Sequence, residues 1–205
     1  GGEFSYKGNF TSLTRDTAAF DAVTAAALAN GSCLATGADP AKNITPANCL
    51  LRGMPGTYTR ATGEVDWRRS FTDSAGEIWT PFASVRVDAI DSSVANQPGV
   101  SNFLPTGESQ ALRAMPTVGL EYRYPFINVQ PWGTTTIEPI VQVIARPNEP
   151  LAGKLPNEDA QSMTFDTTNL FAVDKFSGYD REEGGGRANV GVQTTTQFDR
   201  GGSVT

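Results

Sequence analysis

The chain has 205 residues, 39% of them hydrophobic, and its mean hydropathy is negative; an ordinary protein core is within reach and a helical membrane protein is excluded. A formal net charge of -6, with 16 basic residues scattered along the chain, excludes a nucleic-acid partner, which needs clustered Lys and Arg. With no histidine and no CxxC pair, no metal or cofactor site is expected.

The opening stretch GEFSYKGNFTS places Phe4, Tyr6 and Phe10 in phase and reads as a weak first strand. The Ala-rich run 17–31 predicts a short helix inside a loop, with Asp16 as N-cap and Gly31 as stop. Cys33 and Cys49 follow in a Gly, Pro and Asn-rich region. A local disulfide suits an oxidising compartment and would stabilise by roughly 3 kcal/mol in the chain-entropy picture; two thiols, or a partner elsewhere in a longer chain, are the alternatives. The triplets Asn9-Phe10-Thr11 and Asn43-Ile44-Thr45 are read as chance sequons. A start at Gly1 without a signal-peptide pattern, and a new alternating segment opening at the far end, predict a piece of something longer.

Alternation then takes over. In 57–71, Ala61, Gly63, Val65, Trp67 and Phe71 share one face against Arg60, Thr62, Glu64, Asp66 and Arg68. In 77–90, Trp79, Pro81, Ala83, Val85, Val87 and Ala89 oppose Thr80, Phe82, Ser84, Arg86 and Asp88. Residues 116–126 set Val118, Leu120, Tyr122, Tyr124 and Phe126 against Gly119, Glu121 and Arg123. In 134–146, Ile137, Pro139, Val141, Val143 and Ala145 oppose Glu138, Gln142 and Arg146, with Ile140 and Ile144 blurring the polar side. Residues 187–198 set Ala188, Val190, Val192 and Phe198 against Arg187, Asn189, Gln193 and Gln197. Each segment predicts a strand with one dry and one mostly wet face. Pro81 and Pro139 cannot donate to a ladder; each marks a bulge, a weakened pairing or, as the favoured reading, a strand start just after a turn.

The connections alternate long and short, with long excursions at 15–56 and 147–186 and tight turns at TDSAGE, INVQPWG and DRGGS. This predicts an all-β, antiparallel up-and-down meander of six strands, a segment of a large transmembrane β-barrel with long extracellular loops and short periplasmic turns. Strands longer than the usual 5 or 6 residues of globular proteins agree with a tilted membrane crossing, as does the gathering of Trp67, Phe71, Trp79, Tyr122, Tyr124, Phe126, Trp132 and Phe198 near the short-turn ends. A lectin-like or jelly-roll domain with those aromatics in its core is the alternative.

The 147–186 loop carries eight carboxylates against three cations, a candidate functional surface. Asp166, Asp174, Asp180, Glu182 and Glu183 either gather divalent cations or form a solvated face; their spacing matches no ion-binding loop and favours the latter. The sequence around them is similar to the mid-barrel signature of the LPS-assembly outer-membrane protein family LptD, also called organic solvent tolerance protein. The resemblance rests on Phe165, Asp166, Asn169, Leu170 and Phe171, on Asp174, Phe176, Ser177, Gly178, Tyr179, Asp180 and Arg181, and on Gly184, Arg187, Ala188 and Asn189. LLRGMPGTYTR, RAMPTVGLEYRYPF and TIEPIVQVIARPNE extend it over most of 50–200 in a form that resembles alphaproteobacterial members.

The resemblance implies a large outer-membrane barrel that inserts lipopolysaccharide into the outer leaflet through a lateral opening. It further implies an LptE-like lipoprotein plug in the lumen and delivery along a periplasmic bridge from an N-terminal jelly-roll domain. The family-motif residues Asp166, Asn169, Phe171, Asp174, Phe176, Gly178, Asp180, Arg181, Arg187 and Asn189 would belong to a loop folded over or into the barrel mouth and to the lumen wall, with Asp180 and Arg181 pairing with other loops or with Arg187 and Asn189. Cys33 and Cys49 do not fit the family's disulfide arrangement. Transport rather than enzyme catalysis is expected; a passive porin and a soluble extracellular β-rich binding module are the alternatives. A glycosidase built on Glu182 and Glu183 is disfavoured, because adjacent glutamates on a glycine loop hold no fixed separation.

Overall fold

The computed structural model of the chain describes residues 1–20, 25–26, 29, 51–151, 154–160 and 169–205. Six long strands form its frame: β1 (Glu3–Arg15), β4 (Gly56–Arg68), β6 (Ile78–Val94), β7 (Gly107–Arg123), β9 (Gly133–Ala145) and β10 (Gly186–Phe198). Short strands β5 (Phe71–Thr72), β8 (Phe126–Gln130) and β11 (Ser203–Val204) complete an antiparallel sheet in the order β1-β4-β6-β7-β9-β10-β11, with β5 on β6 and β8 on β9. Neighbours in the sheet are neighbours in the chain, so the sheet is a pure meander. At ~3.3 Å per residue, a 13-residue strand such as β4 extends ~43 Å, or ~30 Å along the normal when tilted ~45°, the thickness of a bilayer hydrocarbon core. Among the described residues no helix is long and apolar enough to cross a membrane.

The two faces of the sheet are inverted relative to a soluble protein. Arg60, Asp88 and Arg113 are 0% exposed, while Leu112, Val190 and Val192 are 72%, 70% and 66% exposed. Every second residue of β4 (58, 60, 62) and of β6 (86, 88, 90, 92) is buried, and the apolar residues between them face outward. Among the described residues the sheet is therefore one layer thick on its apolar side, with Val65, Val85, Val118, Val141 and Val143 exposed. Ile140 and Ile144, which interrupt the polar pattern of β9, are buried on the inner face.

The three hairpin turns lie at one end. Asp73 Oδ1 accepts the Ala75 and Glu77 N–H groups at 2.9 and 3.0 Å, and Gly76 adopts φ +88. Trp79 stacks on Tyr122 (4.7 Å between ring centroids), Tyr124 on Phe126 (4.4 Å) and Trp132 on Phe198 (5.9 Å), a belt of rings beside the turns. The opposite end carries the long connections and a small apolar cluster, in which Met54, Tyr58, Ile90, Val94, Val100, Leu104 and Leu155 close against one another.

Several expectations need correction. The strand read at 116–126 begins at Gly107; Gly107, Ser109 and Gln110 looked like loop because this half of β7 carries few apolar residues. INVQPWG is not all turn: Phe126–Gln130 is β8, and only Pro131 and Trp132 separate it from β9. Neither proline starts a strand. Pro81 is the fourth residue of β6, and its missing N–H interrupts the ladder between β4 and β5 while the register continues from Arg68↔Phe82 to Phe71↔Trp79. Pro139 does the same to β7 and β8, which resume in register from Arg123↔Ile140 to Phe126↔Ile137. The helix does not start after Asp16, because Ala19–Phe20 is a strand (β2) paired with Leu51–Gly53 (β3); residues 25, 26 and 29 are helical. Residues 21–24, 27, 28, 30 and 31 of that run, Cys33, Cys49 and the Asn43 sequon lie outside the described residues, as do Phe165 and Asp166.

Candidate functional site

The described residues of the connection between β9 and β10 fold back over the inner face of the sheet as a strap. Most of their carboxylates land on arginines on or beside the strands. Arg60 (β4) donates Nη2 to Asp159 Oδ2 at 2.9 Å and Nη1 to Asp180 Oδ1, and also reaches Asn9 Oδ1 of β1 at 3.0 Å. Tyr58, two residues earlier on the same face, donates its hydroxyl to Asp180 Oδ1 at 2.5 Å. Arg113 (β7) donates to Asp88 Oδ2 of β6 at 2.8 Å, to Glu149 Oε1 at 2.6 Å and to the Tyr179 and Asp180 carbonyls at 2.6 and 2.9 Å. Arg86 (β6) donates to the Tyr179 carbonyl and to Asp88 Oδ1 at 3.3 Å. The Arg60 and Arg86 guanidinium groups both lie over the Tyr179 ring, 5.4 and 5.0 Å from its centroid, within cation–π range.

The strap also braces itself. Asp180 Oδ2 accepts the Glu158 and Asp159 N–H groups at 2.6 and 2.9 Å, and Asp159 Oδ1 accepts those of Tyr179 and Asp180 at 3.1 and 2.9 Å. Two carboxylates thus cap each other's backbone while both face Arg60. Gly178 makes the approach possible: φ is +73, and a Cβ there would sit 2.5 Å from the Asp159 carbonyl oxygen. Asp174 Oδ1 accepts the Phe176 and Glu183 N–H groups at 3.2 Å each.

Burial and ionic contacts pull the carboxyls apart. Burial would raise Asp159, but hydrogen bonds from Arg60 and from the Asp180 and Tyr179 N–H groups hold it down at about 2. Burial pushes Asp180 up, opposed by the Tyr58 hydroxyl, the Glu158 N–H and Arg60. Glu182 is pushed up to about 7, first by burial, with Arg86 opposing and Asp174 reinforcing. Its nearest cations, Arg86 and Arg146, stand at 3.7 and 3.8 Å, too far for hydrogen bonds, and its Oε2 has no hydrogen-bond partner.

The remaining family-motif residues among the described ones sit along the same strap and wall. Arg187 (β10) pairs with Glu183 and donates to the Ala172 and Val173 carbonyls at 2.5 and 2.9 Å. Asn189 donates to Gln142 Oε1 at 2.8 Å, and Gln142 donates to the Phe171 carbonyl at 3.1 Å. Phe171 lies over Gly191, where a Cβ would come within 3.0 Å of its ring. Lys175 Nζ donates to the Asn169 carbonyl and to the Leu170 carbonyl at 2.8 Å. Arg181 reaches the Leu155 carbonyl at 3.4 Å. Asp180 meets Tyr58 and Arg60, not Arg187 or Asn189.

Sequence reasoning did not single out Tyr58, Arg113, Glu149 or Asp159. Arg60, Arg86 and Asp88 stood on recognised polar faces, and a charge at every second or fourth position of a strand facing an acidic loop was the available signal. Among the described residues no group of three or more Asp, Glu, Cys or His is arranged to hold a metal ion. Asp174, Asp180 and Glu183 are instead engaged by N–H groups or arginine.

No curated protein matches the chain. The family model LptD, LPS transport system D, matches residues 1–205. With its antiparallel sheet, outward apolar face and inward polar face, the chain belongs to the LptD family of outer-membrane β-barrel proteins of LPS transport.

Proposed function

We propose that this chain forms part of the barrel wall through which lipopolysaccharide is inserted into the outer leaflet. The match to the LPS transport family over residues 1–205 carries the reading, and the inverted sheet supports it. On this reading the head group travels along a wet inner wall while the acyl chains slip into lipid through a lateral opening. The protein lowers a desolvation barrier and makes or breaks no covalent bond. The long connections lie on the extracellular side and the aromatic turns on the periplasmic side. An LptE-like lipoprotein occupies the lumen, and an N-terminal jelly-roll domain supplies the periplasmic bridge.

The test is a depletion strain in which the full-length protein is the sole source of the activity. Newly made lipopolysaccharide should reach the cell surface, and the purified protein should bring down a lipoprotein and conduct little in planar bilayers. A steady wide conductance, together with failure to restore surface lipopolysaccharide, would overturn the reading in favour of a porin.

A further inference from the structure

The strap and the wall match each other charge for charge. Glu149, Glu158, Asp159, Asp180, Glu182 and Glu183 of the strap all lie within ion-pair distance of arginines on or beside the strands. Without the strap, the inner face would hold Arg60, Arg86 and Arg113 on the adjacent strands β4, β6 and β7 against Asp88, a net positive row, with Arg187 further along on β10. Buried cations in such a row need an anion.

The strap is an imperfect one. Among the described residues, Arg60 Nε, Arg146 Nη1 and Arg187 Nε are buried without an acceptor and Glu182 Oε2 without a donor. Glu182 spans two guanidinium groups and hydrogen-bonds neither. A cleft of about 480 Å³, lined by Lys7, Arg86 and Arg146 and by the carboxylates of Glu64, Asp66, Asp174 and Glu182, has room for a phosphate-sized group beside the arginines; Asp174 in it is engaged by the Phe176 and Glu183 N–H groups. Glu64 and Asp66, on the same cleft, are held by Lys7 at 2.8 and 3.1 Å.

We infer that the arginine row is a phosphate-binding site and that the strap is its internal occupant, displaced when the phosphates of a phosphorylated sugar head group reach the wall. A phosphate presents three acceptor oxygens and close to two charges where a carboxylate presents two oxygens and one charge. It can therefore satisfy guanidinium donors that the strap leaves orphaned, in the bidentate geometry arginine favours. The lipid source of the phosphate rests on the function proposed above; the anion site does not.

The experiment uses the full-length protein in detergent and reads tryptic cleavage within the strap, at Lys154, Lys175 and Arg181. Inorganic pyrophosphate should accelerate cleavage saturably, by ~tenfold, over sodium chloride of equal ionic strength. Glu149→Gln, which weakens the internal competitor at Arg113, should lower the half-saturating concentration several-fold. In a second arm, micelles of a bisphosphorylated lipid A should act as pyrophosphate does, and the same lipid stripped of phosphate should not. Chloride matching pyrophosphate, or a Glu149→Gln protein with unchanged half-saturation, would overturn the site. Acceleration by pyrophosphate without any by the phosphorylated lipid would assign the site to free phosphate and refute the head-group half. Should Glu149→Gln fail to fold, the wild-type comparison of pyrophosphate with chloride decides alone.

Discussion

Asp180→Ala should release the strap and leave the wall standing. The Asp180 and Arg60 side chains are both 0% exposed, and removing one partner of a buried ion pair costs about 3–5 kcal/mol. Arg60 keeps Asp159, which argues for the lower end. Tyr58 loses its acceptor, however, and so do the Glu158 and Asp159 N–H groups, which restores part of the difference. A docking loss of about 3 kcal/mol corresponds to a ~10²-fold rise in the open population. Hydrogen exchange on the full-length protein in nanodiscs reads it directly. Peptides covering 154–160 and 176–183 should exchange ~10²-fold faster, whereas those from β6 and β7 should not change. Asp180→Asn, which keeps an acceptor oxygen but loses the charge, should fall between at about 1–2 kcal/mol. Strap exchange unchanged within threefold, or a loss of protection spreading through the strands, would refute the separation of strap from wall.

Three further outcomes follow from the same geometry. Glu182 has a pKa of about 7 in the docked strap against an ordinary 4.5; because the docked state binds the extra proton, docking weakens as pH rises from 4.5 to 7 and levels off above. Strap exchange, corrected for the intrinsic rate, should be faster at pH 8 than at pH 6, and a Glu182→Gln protein that keeps the difference would refute the assignment. Asp159, held at about 2, loses its contribution only as pH falls below its ordinary range and does not confound that window. Gly119→Ala places a Cβ 2.7 Å from the Val143 carbonyl oxygen and 2.2 Å from the Phe82 ring, and should cost about 1–3 kcal/mol of barrel stability in urea. Gly63→Ala, with nothing within 4 Å, should stay within about 0.5 kcal/mol; equal effects would refute the packing account. Val85→Arg, on the outward face near the middle of β6, should cost about 2–4 kcal/mol on folding into lipid vesicles, and a neutral result would show that this face does not meet lipid.

Strand existence and phase were legible because alternation of side chains is a local property. Val65, Val85, Val118, Val141 and Val190 fall on the predicted dry face and are exposed in the structure, as a wall bathed in lipid requires and a soluble core forbids. Local signals failed where pairing depends on the neighbour. The first half of β7 holds its place as part of a continuous run of seventeen register pairs between β7 and β6, from Val94↔Gly107 to Ile78↔Arg123, not through its own composition. The prolines misled for a related reason: a missing N–H silences one rung, while the rungs on either side fix the register. At the site, the acidic strap was visible as charge, and its motif residues by resemblance. Which carboxylate meets which arginine was not, since Arg60 and Asp180 are 120 residues apart and only the fold-back of the strap joins them.

Wall and strap are held by different forces, which is what would let one move without the other. The wall is a ladder of backbone hydrogen bonds, thirteen paired positions between β1 and β4 alone, and opening it in lipid would expose unsatisfied N–H and C=O groups at several kcal/mol each. The strap makes backbone-to-backbone bonds to neighbouring residues at its root, where Arg146 N–H meets the Gly185 carbonyl and Gly185 N–H the Pro147 carbonyl. Beyond the root, its described contacts with the sheet run through side chains, chiefly charged ones. Those bonds can be exchanged for bonds to water or to another anion, group by group, without breaking a rung. A wall whose polar face were closed by apolar packing would have no such exchange available, because each displaced contact would meet water with nothing to replace it. The buried charge on the inner face is therefore a poor way to stabilise a barrel and a good way to close one reversibly.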